Sequence, residues 1–295
     1  MTLAFTTVGV IGKRREPAVK PVLAAICTTL QGLGCTVLVD ELHADIAQQC
    51  GAEAVNRSTL ATRCQLAVVA GGDGTLLDAG RSLARYGVPL LGINQGRLGF
   101  MVDVNPDDLT PALHAVMAGD YVTDERRMLA TRIVRDGQDL FLFAPAINDV
   151  VIRNFASIRM LEFETWLGGH FISQHRADGL IVSSPTGSTA YSLSGGGPVI
   201  HPAVAALALV PICPHTLTDR PIVVPSDQAV KIVLRGPEEG RATVTCDGQL
   251  SEALMPGDTV LIEPATTPLK LLHPRQYDYF SLLREKLHWG RGPAR

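Results

Sequence analysis

The sequence predicts an α/β domain with a parallel sheet, followed by a mostly β domain, and a C-terminal helix that packs back on the first domain. Three observations carry this expectation. Over residues 1–124, short β-rich runs that end in glycine alternate with stretches of helical spacing. Over 125–275 the chain changes to short alternating runs broken by Gly, Asn, Asp and Pro. Helical spacing resumes in 276–295, within QYDYFSLLREKLHWG.

The elements follow in order. TTVGVIG (6–12) reads as a strand, PAVKPVLAAICTTLQGLG (17–34) as a helix stopped by glycines, and CTVLVD (35–40) as a second strand, which together make a βαβ unit. QLAVVAGGDG (65–74) repeats the step from strand to glycine, TLLDAGRSLARYG (75–87) reads as a helix, and VPLLGIN (88–94) as the next strand. Helices of this length between strands imply a parallel sheet, with ligands at the carboxyl ends of its strands. The GGDG turn sits at such an end. In the second half, RMLEFETWLGG, HFISQHRADGLIVSS, RPIVVPSD, QAVKIVLRG, RATVTCDGQL and DTVLIEPA read as strands.

Composition narrows the function classes. A chain of 295 residues with 46% hydrophobic and 19% charged residues has the material for two globular cores. A formal net charge of −3 supplies no basic field for a phosphate backbone, so no nucleic-acid partner is expected. No stretch approaches the ~20 apolar residues of a membrane span, so no membrane partner is expected either. In MTLAFTTVGVIGKRR the basic residues follow the apolar run, the reverse of a signal peptide, and the expected location is the cytoplasm. Cysteines at 27, 35, 50, 64, 213 and 246 form no CxxC pair and read as reduced structural thiols.

Four stretches have the residue types for chemistry. In VVAGGDGTLLDAGR (68–81), glycines 71, 72 and 74 leave the backbone bare where a helix starts, an environment suited to phosphate. Asp73 would repel phosphate unless it accepts a proton from an attacking hydroxyl or positions a metal; alternatively, it caps a helix beginning near Thr75. RADGLIVSSPTGSTAYSLSGGGPVIHP (176–202) offers hydroxyls, bare N–H groups and the flat ring of Tyr191 to a polar ligand, or is a long surface loop. INDVVI (147–152) places Asn148 beside Asp149, a pair able to hold ribose hydroxyls or to start a turn. CDGQ (246–249) is by itself a hairpin turn, and His170, His175 and His201 lack metal-ligand spacing, so no protein-held metal is expected. There is no GxxxxGK[ST] and no GxSxG, and GVIGK (9–13) does not complete a GxGxxG.

Taken together, GGDGT (71–75), GINQGRLGF (92–100), INDVVI (147–152), ADGLIVSSPTGSTAYSLSGGGP (177–198), CDGQ (246–249) and FSLLREKLHW (280–289) resemble the NAD kinase family, bacterial ATP-NAD kinase type, in the family's order. The family phosphorylates the adenosine ribose 2′-hydroxyl of NAD to make NADP. The resemblance implies that Asp73 is the proton acceptor and that Gly71, Gly72, Gly74 and Thr75 shape the phosphate-donor turn. It implies NAD contacts from Asp73, Gly74, Asn148, Asp149, Arg159, Arg176, Asp178, Thr189, Ala190, Tyr191, Ser192, Leu193, Ser194 and Gln249. It also implies ATP, or polyphosphate, as donor, a divalent metal ion, Mg²⁺, that comes with ATP, and a homodimer or homotetramer. The chain departs from the family's pattern at Asp149, where Glu is frequent, at Ser184, where Thr is, and at Gly195, where Ala is usual and where the change is expected to loosen the loop. CDGQ leaves open whether Asp247 or Gln249 makes the ligand contact. A lipid or sphingoid kinase shares GGDGT, a 6-phosphofructokinase has a related turn, and a non-catalytic dinucleotide sensor would keep the same cleft.

Overall fold

The computed structural model describes residues 3–96, 98–154, 160–236 and 242–289. The chain forms two compact units, Met1–Glu125 with Leu269–Arg295, and Arg126–Pro268. The first unit runs through β1 (Thr7–Gly12), α1 (Lys20–Gly32), β2 (Thr36–Asp40), α2 (Ala44–Cys50), β3 (Glu53–Val55), α3 (Arg57–Arg63), β4 (Leu66–Ala70), α4 (Asp73–Leu83), β5 (Leu90–Ile93), α5 (Leu109–Met117) and β6 (Val122–Arg126). The second contains β7 (Leu129–Arg135), β8 (Gln138–Leu142), β9 (Asp149–Asn154), β10 (Leu161–Leu167), β11 (His170–Ala177), β12 (Gly179–Ser183) and α6 (Tyr191–Ser194). It continues with β13 (Ala206–Ile212), β14 (Ile222–Pro225), β15 (Val230–Arg235), β16 (Ala242–Cys246), β17 (Leu250–Leu254) and β18 (Thr259–Pro264). The chain ends in β19 (Leu269–His273) and α7 (Tyr279–Leu287), both in the first unit.

The first unit holds a seven-stranded sheet in the order β3-β2-β1-β4-β5-β19-β6. The pairs β1–β2, β2–β3, β1–β4, β4–β5 and β5–β19 are all parallel. Every residue of β4 is fully buried, which is why LAVVA is apolar without alternation: both faces of a parallel strand are covered. The chain builds outward from β1 to β2 and β3, then crosses back to place β4 on the other side of β1. That reversal is a topological switch point, where the connections leaving β1 and β4 diverge and open a crevice. The GGDG turn directly follows β4.

The chain rejoins this sheet at Leu269, ahead of residue 276, where helical spacing resumes in the sequence. Leu271 and Leu272 pair in parallel with Leu90 and Leu91. A short apolar strand of this kind has the same look as the antiparallel strands just before it, so its sheet is not visible in the sequence.

The second unit is built from two six-stranded sheets, β11-β10-β15-β18-β7-β8 and β14-β13-β12-β9-β16-β17. Their inner faces share one core, to which Ile133, Val150, Ile152, Phe163, Val182, Val244 and Ile262 belong. Successive strand residues point to opposite faces, so Val151 and Ile181 face away from that core and pack with Ile200, Ala208 and Val210 instead. β9 and β12 are therefore buried on both faces. A register slip by one residue would exchange the two sets of side chains and misfit both clusters. β9 lies between β12 and β16, so the turn that opens it is held from both sides.

Candidate active site

In the first unit β4 leads straight into α4. Gly72 is the cap residue, with extended backbone (φ −99°, ψ −176°), and its carbonyl accepts the N–H of Thr75 at 2.9 Å and of Leu76 at 3.2 Å. Asp73 is thus the first residue of the helix, ahead of the expected start near Thr75, and the cap position it would have filled belongs to Gly72. Its half-buried carboxylate faces the loop that follows β5. Oδ2 accepts the Phe100 N–H at 2.9 Å and Oδ1 the Met101 N–H at 3.0 Å. Each oxygen has a further lone pair, so the group is oriented and still able to accept a proton. The loop comes so close that a Cβ on Gly99 would lie 2.3 Å from Asp73 Oδ1.

Gly71, Gly72 and Gly74 all avoid positive φ, so unusual dihedrals do not call for glycine in this turn. A Cβ on Gly71 would lie 2.5 Å from Thr75 Oγ1, whereas one on Gly72 would meet open space. The Gly71 N–H donates to the Ile93 carbonyl at 2.9 Å, which removes it from the donors that could face phosphate.

In the second unit CDGQ closes the β16–β17 hairpin. The loop between the paired Cys246 and Leu250 has three residues, of which Asp247 (φ 52°) and Gly248 (φ 63°) have the positive φ that Asp-Gly favours. This turn aims the Asp247 carboxylate at the main chain just before β9. Oδ1 accepts the N–H of Asn148 at 2.7 Å and of Asp149 at 3.3 Å, and the Ile147 N–H lies 3.0 Å from Oδ1 and 3.1 Å from Oδ2. In return the Asp247 N–H donates to the Asp149 carbonyl at 2.9 Å. Asp247 is therefore committed to bracing the turn, while Gln249 is exposed.

Asn148 and Asp149 stand on that braced turn. Asn148 Oδ1 is buried without a hydrogen-bond partner, an acceptor that an incoming donor would satisfy. Asp149 is 5% exposed. Burial, reinforced by the negative charge of Asp247, pushes its carboxyl up from 3.8 to about 7.

The Ser/Thr-rich loop is tied to the same turn. Ser183, at the end of β12, pairs with Asp149. Ser184 Oγ donates to the Ile147 carbonyl at 2.5 Å and accepts the Gly187 N–H at 3.2 Å, while the Ser184 N–H donates to the Asn148 carbonyl at 2.8 Å. A Cβ on Gly187 would lie 2.1 Å from that carbonyl oxygen, so the loop can cross here only at a glycine. It then passes through a single 3₁₀ turn, Thr186–Thr189, into α6. Tyr191, at the start of α6, is 44% exposed. Thr189, Ala190 and Leu193 are half-buried and Ser194 is exposed, whereas the Ser192 side chain is enclosed and faces inward. At Gly195 a Cβ would meet Val210 Cγ1 at 2.9 Å.

Two residues expected to contact NAD lie away from the Asn148–Asp149 turn of this unit. Arg176, near the end of β11, and Asp178, just before β12, are exposed, and Arg176 pairs with Glu162 at 3.2 Å. Gly179 is in register with Arg153 while Ser183 is in register with Asp149, which separates the two ends of β12 by about 13 Å. Arg159 lies outside the described residues, as does Arg97 of GINQGRLGF. Sequence reasoning missed the amides of Phe100 and Met101, the bracing by Asp247 and the tie through Ser184. The first has no residue-type signal at all, because every residue but proline carries the same N–H.

Protein-family models described as ATP-NAD kinase N-terminal domain and ATP-NAD kinase C-terminal domain match residues 8–121 and 147–273. An NAD kinase of Nitrosococcus oceani is 43% identical over 99% of both chains. One of Methylococcus capsulatus is 44% identical over 98% of this chain and 99% of its own. Among solved structures, a yeast NADH kinase complexed with NADH has the same fold, with a TM-score of 0.88 at 21% identity over 98% of this chain and 89% of that one. An NAD kinase from Archaeoglobus fulgidus in complex with ATP matches with a TM-score of 0.73 at 24% identity, over 96% of this chain and 98% of that one.

Proposed function

The chain belongs to the NAD kinase family, and from that premise we propose how its own residues carry the reaction. NAD kinase transfers the γ-phosphate of ATP to the 2′-hydroxyl of the adenosine ribose of NAD, giving NADP and ADP. In this reading Asp73 is the proton acceptor: the 2′-oxygen attacks the γ-phosphorus, its proton passes to the carboxylate, and ADP departs in line. The observation that carries it is the pair of N–H bonds from Phe100 and Met101, which orient both Asp73 oxygens at the head of the glycine turn. Positioning of this kind is most of what an enzyme contributes to phosphoryl transfer.

The first-turn N–H groups of α4 supply the positive helix end for phosphate oxygens, with Gly72 leaving the approach open. Asn148 and Asp149 hold ribose hydroxyls of NAD, Tyr191 stacks on a base, and main-chain groups of 189–194 complete the contacts. Arg176 and Asp178, beside the start of β12 and away from the Asn148–Asp149 turn of the same unit, contact NAD at a different point along the dinucleotide. Mg²⁺ is proposed as the divalent ion. In this reading the ion is carried by the nucleotide's own phosphates. When bound, it neutralises charge on the phosphates.

No helix among the described residues is long and apolar enough to cross a membrane. We place the protein in the cytoplasm, a location that suits six cysteines of which four are buried. The reading includes a homodimer or homotetramer, for which the outward-facing Leu140, Phe141 and Leu142 of the edge strand β8 are the support.

The test incubates purified protein with ATP, Mg²⁺ and NAD and couples NADP formation to an NADP-specific dehydrogenase, with Asp73→Asn alongside. The wild type is expected to form NADP and the variant to lose about 10²–10⁴-fold in kcat while still binding NAD. Near-normal turnover by Asp73→Asn would remove Asp73 from the role of base.

A further inference from the structure

We propose that Lys286 is a positioning residue for phosphoryl transfer, acting on Asp73 through the loop of residues 98–101; the proposal rests on the reading of Asp73 as proton acceptor. The C-terminal helix has had no part in the chemistry so far. Its sequence folds as an amphipathic helix: Tyr279, Leu282 and Leu283 are buried at i, i+3 and i+4, and Asp278 caps it by accepting the Phe280 N–H at 3.0 Å. This face anchors α7 within the first unit and sets the direction of its last turn.

From that last turn Lys286 reaches the loop. Its Nζ donates to the Leu98 carbonyl at 2.6 Å and lies 5.5 Å from the centroid of the Phe100 ring. A charge-assisted bond of this length to a half-buried carbonyl is stronger than one between neutral groups. The loop it holds is short. The Gly99 N–H donates to the Val102 carbonyl at 2.9 Å, and the next two amides are the donors to Asp73. One ammonium thus fixes the carbonyl that immediately precedes this segment, so the position of the Phe100 and Met101 donors depends on a side chain 188 residues from Leu98.

Without Lys286 the Leu98 carbonyl would turn to water and the loop would lose the restraint that keeps its amides on the carboxylate. Asp73 itself would remain, as would every residue assigned to NAD. The expected defect is therefore in kcat and not in NAD affinity.

The test uses the full-length protein with Lys286→Met, which keeps the apolar stem and removes the donor, and Lys286→Arg, which restores one. Lys286→Met is expected to lower kcat about ten-fold with KM for NAD changed less than about two-fold, and Lys286→Arg to recover most of the loss. Amide hydrogen exchange at Phe100 and Met101 is expected to speed up in Lys286→Met. Unchanged kcat in Lys286→Met, in a protein whose Asp73→Asn variant is inactive, would overturn the proposal and leave the reading of Asp73 standing. If Asp73→Asn turns over normally, that reading fails, and the exchange rates decide the positioning separately: unchanged exchange overturns it. A rise in KM for NAD with kcat preserved would overturn it as well.

Discussion

The Asp247 carboxylate accepts the main-chain N–H of Asn148 at 2.7 Å across 99 residues of sequence. The same group takes the N–H groups of Ile147 and Asp149, so one side chain satisfies three successive donors of the turn that presents Asn148 and Asp149. Asp247→Ala removes all three acceptors at once, and an unsatisfied part-buried donor costs about 1–3 kcal/mol. Steady-state kinetics with NAD varied should show kcat/KM lower by about 100-fold, mostly through KM, with Asp247→Asn less affected because its amide oxygen still accepts. Wild-type kcat/KM in Asp247→Ala would show that the bracing is dispensable.

The Asp149 carboxyl, raised by burial and then by Asp247 to about 7, makes the ligand-free protein sensitive to pH. Between about pH 4 and 7 the folded chain keeps a proton there that the unfolded chain has released. The stability this confers is fully present below the ordinary value of 3.8 and is lost as pH rises through about 7. Thermal unfolding of the wild type should therefore lose Tm across this window relative to Asp149→Asn, which is neutral throughout. Asp247→Asn should move the window to lower pH by removing the negative neighbour. Parallel pH profiles for wild type and Asp149→Asn would contradict both expectations.

Gly99→Ala tests the tie between the loop and the acid without altering either donor. The new Cβ would fall 2.3 Å from Asp73 Oδ1, so the carboxylate or the loop must move. Gly99 has no positive φ, and circular dichroism should report an intact fold. Misplacement of a reacting group by ~1 Å costs about 100-fold in rate, and a kcat loss of that order is expected. Full turnover would show that this alignment of Asp73 is not required.

Tyr191→Ala separates binding from chemistry. The ring is 44% exposed at the start of α6, and removing a stacked aromatic costs about 1–3 kcal/mol per base. Calorimetry should show NAD binding weakened by about 5- to 100-fold, with kcat at saturating NAD close to wild type. An unchanged Kd would exclude stacking on this ring.

Some of this was determined by the sequence alone. The unbroken apolar run LAVVA followed by glycines marks a buried parallel strand ending at a ligand-facing turn, and β4 and α4 are built that way. Asp-Gly in CDGQ marks the tight hairpin, because few residue pairs tolerate two positive φ angles in succession. These features are local, and local sterics and burial write them into residue type. The tertiary structure alone decided which distant groups meet. The Phe100 and Met101 amides lie 27 and 28 residues from Asp73, and no residue choice announces them, since the main chain donates in the same way everywhere. Asp247 reaches Asn148 only because β16 pairs with β9, and Arg176 and Asp178 are kept from that turn only because β12 runs antiparallel to β9. Leu271 and Leu272 join the first sheet beside β5, although their sequence matches the strands of the second. Sheet order and register are set by the packing of whole faces against common cores, a property of the assembled chain that no short segment contains.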